Sequence, residues 1–226
     1  MKKFVIIVAG GTGERMGNDI PKQFIEINGL PLLMHTFNAF YRYDKSIKFI
    51  LVLNPLKFHY WDELCKKHAF TIEHTIVAGG PTRFSSVKNG VAALSDEGIV
   101  AIHDGVRPFV STDTIARCFE AAEQYGNAIP VIPMIDTVRM VEGHVSVAID
   151  RTTLRCIQTP QVFSCHLIKE AYKQNYMPEF TDDARVLENR GHKIHLVEGN
   201  VENIKITTPL DLFIAPKVLE YTTKLK

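Results

Sequence analysis

Five apolar residues, 4–8, run without alternation into a loop of small residues, Ala9-Gly10-Gly11-Thr12-Gly13-Glu14-Arg15-Met16-Gly17, with Pro21-Lys22-Gln23 just behind it. A short unbroken apolar run reads as a strand buried on both faces, the usual first strand of an α/β sheet. Glycines at its carboxyl end let backbone N–H groups approach a phosphate closely. Arg15 and Lys22 bring full charges that backbone dipoles cannot supply. The stretch reads as a triphosphate site on the edge of an α/β sheet.

The following segments supply that sheet. Residues 31–42 carry apolar positions at helical spacing, with Pro31 suited to a first turn. Residues 47–53 read as a second strand, 56–68 as a helix, 71–77 as a third strand, 85–94 as a helix and 99–103 as a fourth strand. Ser111 can cap a helix running to about residue 125. Strand–helix–strand alternation at these spacings implies right-handed crossovers and a mainly parallel sheet. In such sheets the ligand crevice lies beyond the carboxyl ends of the strands. Segments 9–22, 78–86 and 103–107 follow three different strands and should converge there.

Beyond residue 136 the alternation stops. Residues 137–141 and 145–148 read as two strands around Glu142-Gly143-His144, a hairpin with no crossover helix. A lone hairpin is marginally stable, so it is expected to project and pack on a second copy of the chain. Residues 155–161 look sheet-like, 164–174 and 181–190 helical, and 193–198 and 203–207 extended. Thr208-Pro209 and Asp211 suit the start of a last helix. With no repeats, low-complexity segments or evident linker, residues 1–226 read as one domain with an arm at 137–153.

Composition narrows the class. The 226 residues are 46% hydrophobic and 23% charged, with a net charge of +1. That balance offers no overall field for nucleic acid, so phosphate chemistry must be local. No apolar stretch approaches the ~20 residues that span a bilayer, and the first apolar run ends in glycines rather than a signal-peptide cleavage site. Cys65, Cys118, Cys156 and Cys165 form no C-x-x-C pair and read as reduced thiols. His192 and His195, three apart in a strand-like run, point to opposite faces and are not read as metal ligands. A cytoplasmic protein is expected.

Two commoner glycine loops fail. A Walker A loop needs Gly-Lys followed by Ser or Thr, which is absent; a dinucleotide fingerprint needs glycine where Met16 stands and an acid where Asn54 closes the second strand. No Ser-His-Asp or Cys-His set suggests a covalent nucleophile. Phosphoryl and nucleotidyl transfer need positioning and charge neutralisation instead. A Mg²⁺ ion bridging the phosphates would share that charge. Nucleotidyl transfer from a nucleoside triphosphate to a phosphorylated acceptor fits best.

At this resolution the chain resembles a known family. Ala9-Gly-Gly-Thr-Gly-x-Arg15-Met16, Pro21-Lys22-Gln23, His103-Asp104-x-x-Arg107-Pro108, Asp150-Arg151, Thr159-Pro160-Gln161, Thr181-Asp182-Asp183-Ala184 and Asn203-Ile-Lys205-Ile-Thr207 stand in order over essentially its whole length. They are similar to the motifs of the 2-C-methyl-D-erythritol 4-phosphate cytidylyltransferases. That resemblance implies a Rossmann-like nucleotidyltransferase domain, CTP and Mg²⁺ as reactants, an isoprenoid precursor as product, and a homodimer held by the β-arm. It assigns Arg15 and Lys22 to the transition state at the α-phosphate. It gives Ala9, Gly10, Gly11, Thr12, Gly13, Gly80 and Ser86 to CTP, and Asp104, Arg107, Thr137, Thr159 and Thr181 to the acceptor. Arg151 and Lys205 would position the acceptor phosphate, Arg151 in the neighbouring subunit's site. No residue is assigned as a direct metal ligand.

Two positions depart from the family pattern. Pro81 follows Gly79-Gly80 where the family usually has an acidic or polar residue, which leaves base selectivity to backbone groups. Gly105-Val106 replaces a frequent pair of alanines and lies between that pattern and the Ser-Val of ribitol-5-phosphate cytidylyltransferases. Ribitol 5-phosphate is therefore a second candidate acceptor, and a non-catalytic nucleotide-binding module a more distant reading.

Overall fold

The computed structural model describes residues 1–11, 20–95 and 97–224. In chain order, β1 (Lys3–Ala9) is followed by a small hairpin of β2 (Glu26–Ile27) and β3 (Leu30–Pro31). Then come α1 (Leu32–Tyr43), β4 (Lys48–Leu53), α2 (Phe58–Lys67), β5 (His74–Ala78), α3 (Arg83–Ala92), β6 (Ile99–Asp104) and α4 (Thr112–Tyr125). β1 pairs in parallel with β4 on one side and β6 on the other, and β5 pairs in parallel with β4. The chain winds outward from β1 through β4 to β5, then crosses back to β6.

Right-handed crossovers that move in opposite directions place their helices on opposite faces of a sheet. The two cores follow that rule for the first three crossovers. Val5, Ile7 and Ala9 of β1 pack with Phe37 and Phe40 of α1 and Trp61 of α2, and α4 contributes Phe119 to the same side. Phe4 and Ile6, pointing the other way, pack with Phe84, Val87 and Val91 of α3. Val5, Ile6 and Ile7 are fully buried, which is why the run carries no alternation. Helix α3 sits close on the sheet because of Gly90, where a Cβ would stand 2.9 Å from methyls of both Ile6 and Val52.

The second half completes a mixed sheet. β7 (Asn127–Pro133), the hairpin β8 (Val138–Glu142) and β9 (Val145–Ile149), β10 (Arg155–Ile157) and β11 (Gln161–Ser164) precede α5 (Cys165–Ala171), α6 (Asp183–Glu188), β12 (Leu196–Glu198) and α7 (Pro209–Lys224). The order across the sheet is β10-β7-β11-β6-β1-β4-β5, with β12 also on β7. β11 lies antiparallel between β6 and β7. The mainly parallel character belongs to β6-β1-β4-β5, the part that carries the glycine loop. That loop leaves β1 at the point where the winding reverses, the usual position of a ligand crevice.

Some local expectations change. β7 is not legible in the pattern because Pro130 and Pro133 interrupt it, yet residues 127–131 are buried. Pro130 still serves the sheet through its carbonyl, which accepts from Gln158 N–H at 2.9 Å. Residues 203–207 form no ladder strand; the segment is held by Ile206 N–H on Val106 O, with Ile206 buried beside Val106 and Phe109. Its alternation records one-sided burial rather than strand pairing. Residues 155–161 divide into two strands around a cis Thr159–Pro160 bond. The start of α7 is as expected, with Asp211 Oδ2 accepting from Thr207 N–H and Thr208 N–H, both at 2.7 Å.

The hairpin β8–β9 forms a two-stranded sheet of its own, with Val138 opposite Ile149 and Glu142 opposite Val145. Met140, Val141, Val145 and Val147 are all more than half exposed.

Candidate active site

A cleft of about 540 Å³ opens at the carboxyl ends of β1, β4, β5 and β6. Its lining includes Ala9, Gly10, Gly11, Lys22, Gly80, Ser86 and Asp104. The three segments expected to converge do so here. Thr12, Gly13 and Arg15 lie outside the described residues.

Each wall has a local cause. Pro21 starts a 3₁₀ turn, Lys22–Phe24, closed by Phe24 N–H on Pro21 O at 2.9 Å. Phe24 is buried against Tyr60 and Trp61. The buried Gln23 donates through Nε2 to Ala9 O at 3.1 Å. The Pro-Lys-Gln string is thus an anchor that returns the chain to the end of β1 and delivers Lys22 to the cleft. Opposite, Gly80 N–H donates to Ser86 Oγ at 3.0 Å. A Cβ on Gly10 would stand 3.3 Å from that same Oγ, so glycine keeps the two walls close. Thr82 caps α3, accepting from Ser85 N–H at 3.0 Å.

A second cleft, about 260 Å³, adjoins the first and is lined by Arg107, Thr159, Gln161, Thr181 and Asp182 among others. Arg83, Asp104 and Lys205 line both. Asp104 Oδ2 lies 2.9 Å from Lys205 Nζ and 3.3 Å from Arg107 Nε, and Oδ1 lies 4.0 Å from Arg83 Nε. Burial alone would favour the protonated carboxyl. Arg83, Lys205 and Arg107 outweigh it and hold Asp104 well below the usual carboxylate range.

His103 organises this wall from behind. It is fully buried, and Nε2 lies 3.0 Å from Arg107 O, which can only accept. Nε2 therefore carries the proton, and Nδ1 accepts from the Thr159 hydroxyl at 3.1 Å. The Thr159 oxygen in turn accepts from Asp104 N–H at 3.1 Å. Burial pushes the imidazole down to about 4, so it stays neutral. Arg107 is fixed at its far end by Nη1 donating to Asn203 O at 2.7 Å. Thr159 lines the smaller cleft, but its hydroxyl is occupied in joining β6 to the loop before β11.

Thr137 and Arg151 line neither cleft. They lie exposed at the base of the arm, where Arg151 Nη1 donates to Ile135 O. Gly105 faces away from the smaller cleft: a Cβ there would stand 3.1 Å from Leu33 Cδ1 and 3.2 Å from Ala9 Cβ. Val106 is buried and lines the larger cleft. The Gly105 half of the Gly105-Val106 departure is therefore a packing difference against β1, whereas Val106 borders the site. The sequence leaves Arg83 without a role; its signal is its place three residues after the Gly79-Gly80 pair.

Among the described residues no group of three or more His, Cys, Asp or Glu side chains is placed to hold a metal ion. Among the described residues Asp104 is the carboxylate lining the larger cleft, and Lys205 and Arg107 engage it.

A statistical model of the 2-C-methyl-D-erythritol 4-phosphate cytidylyltransferase family matches residues 3–221. A protein of that description from Bacteroides thetaiotaomicron is 51% identical over 219 residues, 97% of this chain and 100% of its own. One from Phocaeicola vulgatus is 53% identical, covering 95% of this chain and 98% of its own. Among solved structures, the enzyme of the same description from Thermus thermophilus superimposes with a TM-score of 0.78 at 32% identity, covering 97% of this chain and 100% of that one. The 4-diphosphocytidyl-2C-methyl-D-erythritol synthase of Anaerococcus prevotii gives 0.82 at 28%, covering 97% and 98%.

Proposed function

The chain belongs to the 2-C-methyl-D-erythritol 4-phosphate cytidylyltransferase family, and from that premise we propose how its residues divide the reaction. It transfers CMP from CTP to 2-C-methyl-D-erythritol 4-phosphate, giving 4-diphosphocytidyl-2-C-methyl-D-erythritol and pyrophosphate in the non-mevalonate route to isoprenoids.

The observation that carries the division is the shared wall at Arg83, Asp104 and Lys205. Two substrates in adjoining clefts can meet only there. We assign CTP to the larger cleft, with the backbone of Ala9, Gly10, Gly11, Thr12 and Gly13, together with Gly80 and Ser86, around base, ribose and phosphates. The acceptor occupies the smaller one, with Asp104 and Arg107 facing its hydroxyls and Thr159 and Thr181 on its walls. Lys205 stands where the acceptor phosphate would come closest to the nucleotide. Lys22, with Arg15, neutralises charge as the acceptor oxygen attacks the α-phosphate in line and pyrophosphate leaves. No covalent enzyme intermediate is required.

Mg²⁺, where bound, would neutralise charge on the triphosphate, and Asp104 is a described carboxylate on the wall of that cleft. The chain's own contribution is cationic: Lys22, Lys205 and Arg107.

The arm would complete the site in a homodimer. Its exposed valines and Met140 offer a second copy an apolar surface, and Arg151 with Thr137 sits at its base, outside both clefts. The free cysteines suit a reducing compartment, and we read the enzyme as cytoplasmic.

Pyrophosphate release tests this over a grid of CTP and UTP against methylerythritol 4-phosphate, ribitol 5-phosphate and hexose 1-phosphates, with and without EDTA. Release confined to CTP with methylerythritol phosphate is expected. Preference for ribitol phosphate, or CTP binding with no release, would overturn the assignment.

A further inference from the structure

The guanidinium of Arg83 stands where the two clefts meet. Arg83 opens α3 directly behind Gly80-Pro81-Thr82, which line the larger cleft. Its Nη1 and Nη2 donate to Asp183 Oδ1 and Oδ2 at 2.9 and 2.6 Å. Asp183 is fully buried and opens α6 directly behind Thr181-Asp182, which line the smaller cleft. Asp183 Oδ1 also accepts from the buried Tyr172 hydroxyl at 2.5 Å. Asp182 is itself tied down, accepting at Oδ2 from Gln161 Nε2 at 2.7 Å.

One side chain therefore joins a nucleotide wall to an acceptor wall and reaches the charge cluster between them through Nε, 4.0 Å from Asp104 Oδ1. The bidentate fork is a geometry that arginine makes and lysine does not. Both terminal nitrogens are engaged by Asp183, so the group is built to hold protein against protein rather than to grip a phosphate.

We propose that Arg83 is a positioning residue for the transfer reaction: through Asp183 it holds the Thr181–Asp182 turn, and through its charge it steadies the Asp104 carboxylate gripped by Lys205 and Arg107, in the arrangement the acceptor requires. This rests on the assignment of the smaller cleft to the acceptor.

Three variants separate the possibilities, with Tm, kcat and both KM values measured by pyrophosphate release. Arg83→Lys keeps the charge and loses the fork. Its KM for methylerythritol phosphate should rise roughly tenfold or more, the scale of a lost charge-assisted hydrogen bond. Its KM for CTP should stay within about twofold. Tyr172→Phe removes one hydroxyl from Asp183 and should raise the acceptor KM about threefold, again without moving that for CTP. Lower Tm with both KM values unchanged would make Arg83 a brace only and overturn the proposal, as would an equal rise in the two KM values. If Arg83→Lys does not fold, an unchanged acceptor KM in Tyr172→Phe overturns it alone. Asp104→Asn tests the underlying cleft assignment: if its acceptor KM is unchanged, that assignment fails, independently of Arg83.

Discussion

Lys205 Nζ stands 2.9 Å from Asp104 Oδ2 on the wall common to both clefts. The carboxylate is buried, whereas the lysine remains partly exposed and can turn toward a ligand phosphate. Asp104 keeps Arg83 and Arg107 as neighbours without it.

Lys205→Met should therefore leave the fold intact while weakening the acceptor phosphate. We expect kcat/KM for methylerythritol phosphate to fall roughly 10–100-fold, with the KM for CTP little changed, since a charged hydrogen bond is lost on one side only. Steady-state kinetics with each substrate varied in turn decides this. An equal loss for both substrates would count against the assignment.

Gln23 and Phe24 anchor the turn that brings Lys22 to the larger cleft, and a change at Lys22 leaves both anchors in place. Lys22→Ala should lower kcat by roughly 10²-fold or more, the scale of removing one charge-stabilising donor. A change under about threefold in single-turnover measurements would remove Lys22 from the transition state.

His103 predicts a pH dependence of stability. Its folded value is pushed down to about 4, first by burial and also by nearby Arg107 and Lys205, against hydrogen bonding to Arg107 O and the Asp104 charge. An unfolded histidine titrates near ~6.5. Between those values the unfolded chain binds a proton that the folded chain refuses, so stability is complete above the unfolded value and falls as pH drops. The loss should reach roughly 2 kcal/mol by pH 5, about 4–8 °C of Tm for a chain of this size. His103→Gln can still donate to Arg107 O and does not titrate. Thermal melts at pH 7 and pH 5 should show a smaller drop for that variant; an equal drop would place the proton elsewhere.

The arm carries an assembly prediction. Met140→Asp with Val147→Asp puts charge on its exposed apolar residues without touching either cleft. Sedimentation should show wild type as a dimer and the double variant as a monomer of low activity, because Arg151 would no longer reach a neighbouring site. A fully active monomer would separate the arm from catalysis.

The amino-acid order alone determined β1, the alternation through β6, the edge where three loops meet, and the hairpin. These are local matters: apolar period, glycine placement and caps act within a few residues and leave a pattern that can be read directly. Even Asp104 and Arg107 were legible, because they share one strand end with His103. The tertiary structure decided the rest. It placed β7 in the sheet despite two prolines, since burial and neighbouring strands override propensity there. It turned residues 203–207 from an expected strand into an irregular segment whose backbone serves Arg107 and Val106. It gave the Thr159 hydroxyl to His103 and Asp104, and it joined Arg83 to Asp183 across the two clefts. Such pairings link residues far apart in the chain. Each satisfies a polar group that folding has buried, and local sequence carries no mark of which distant partner will arrive.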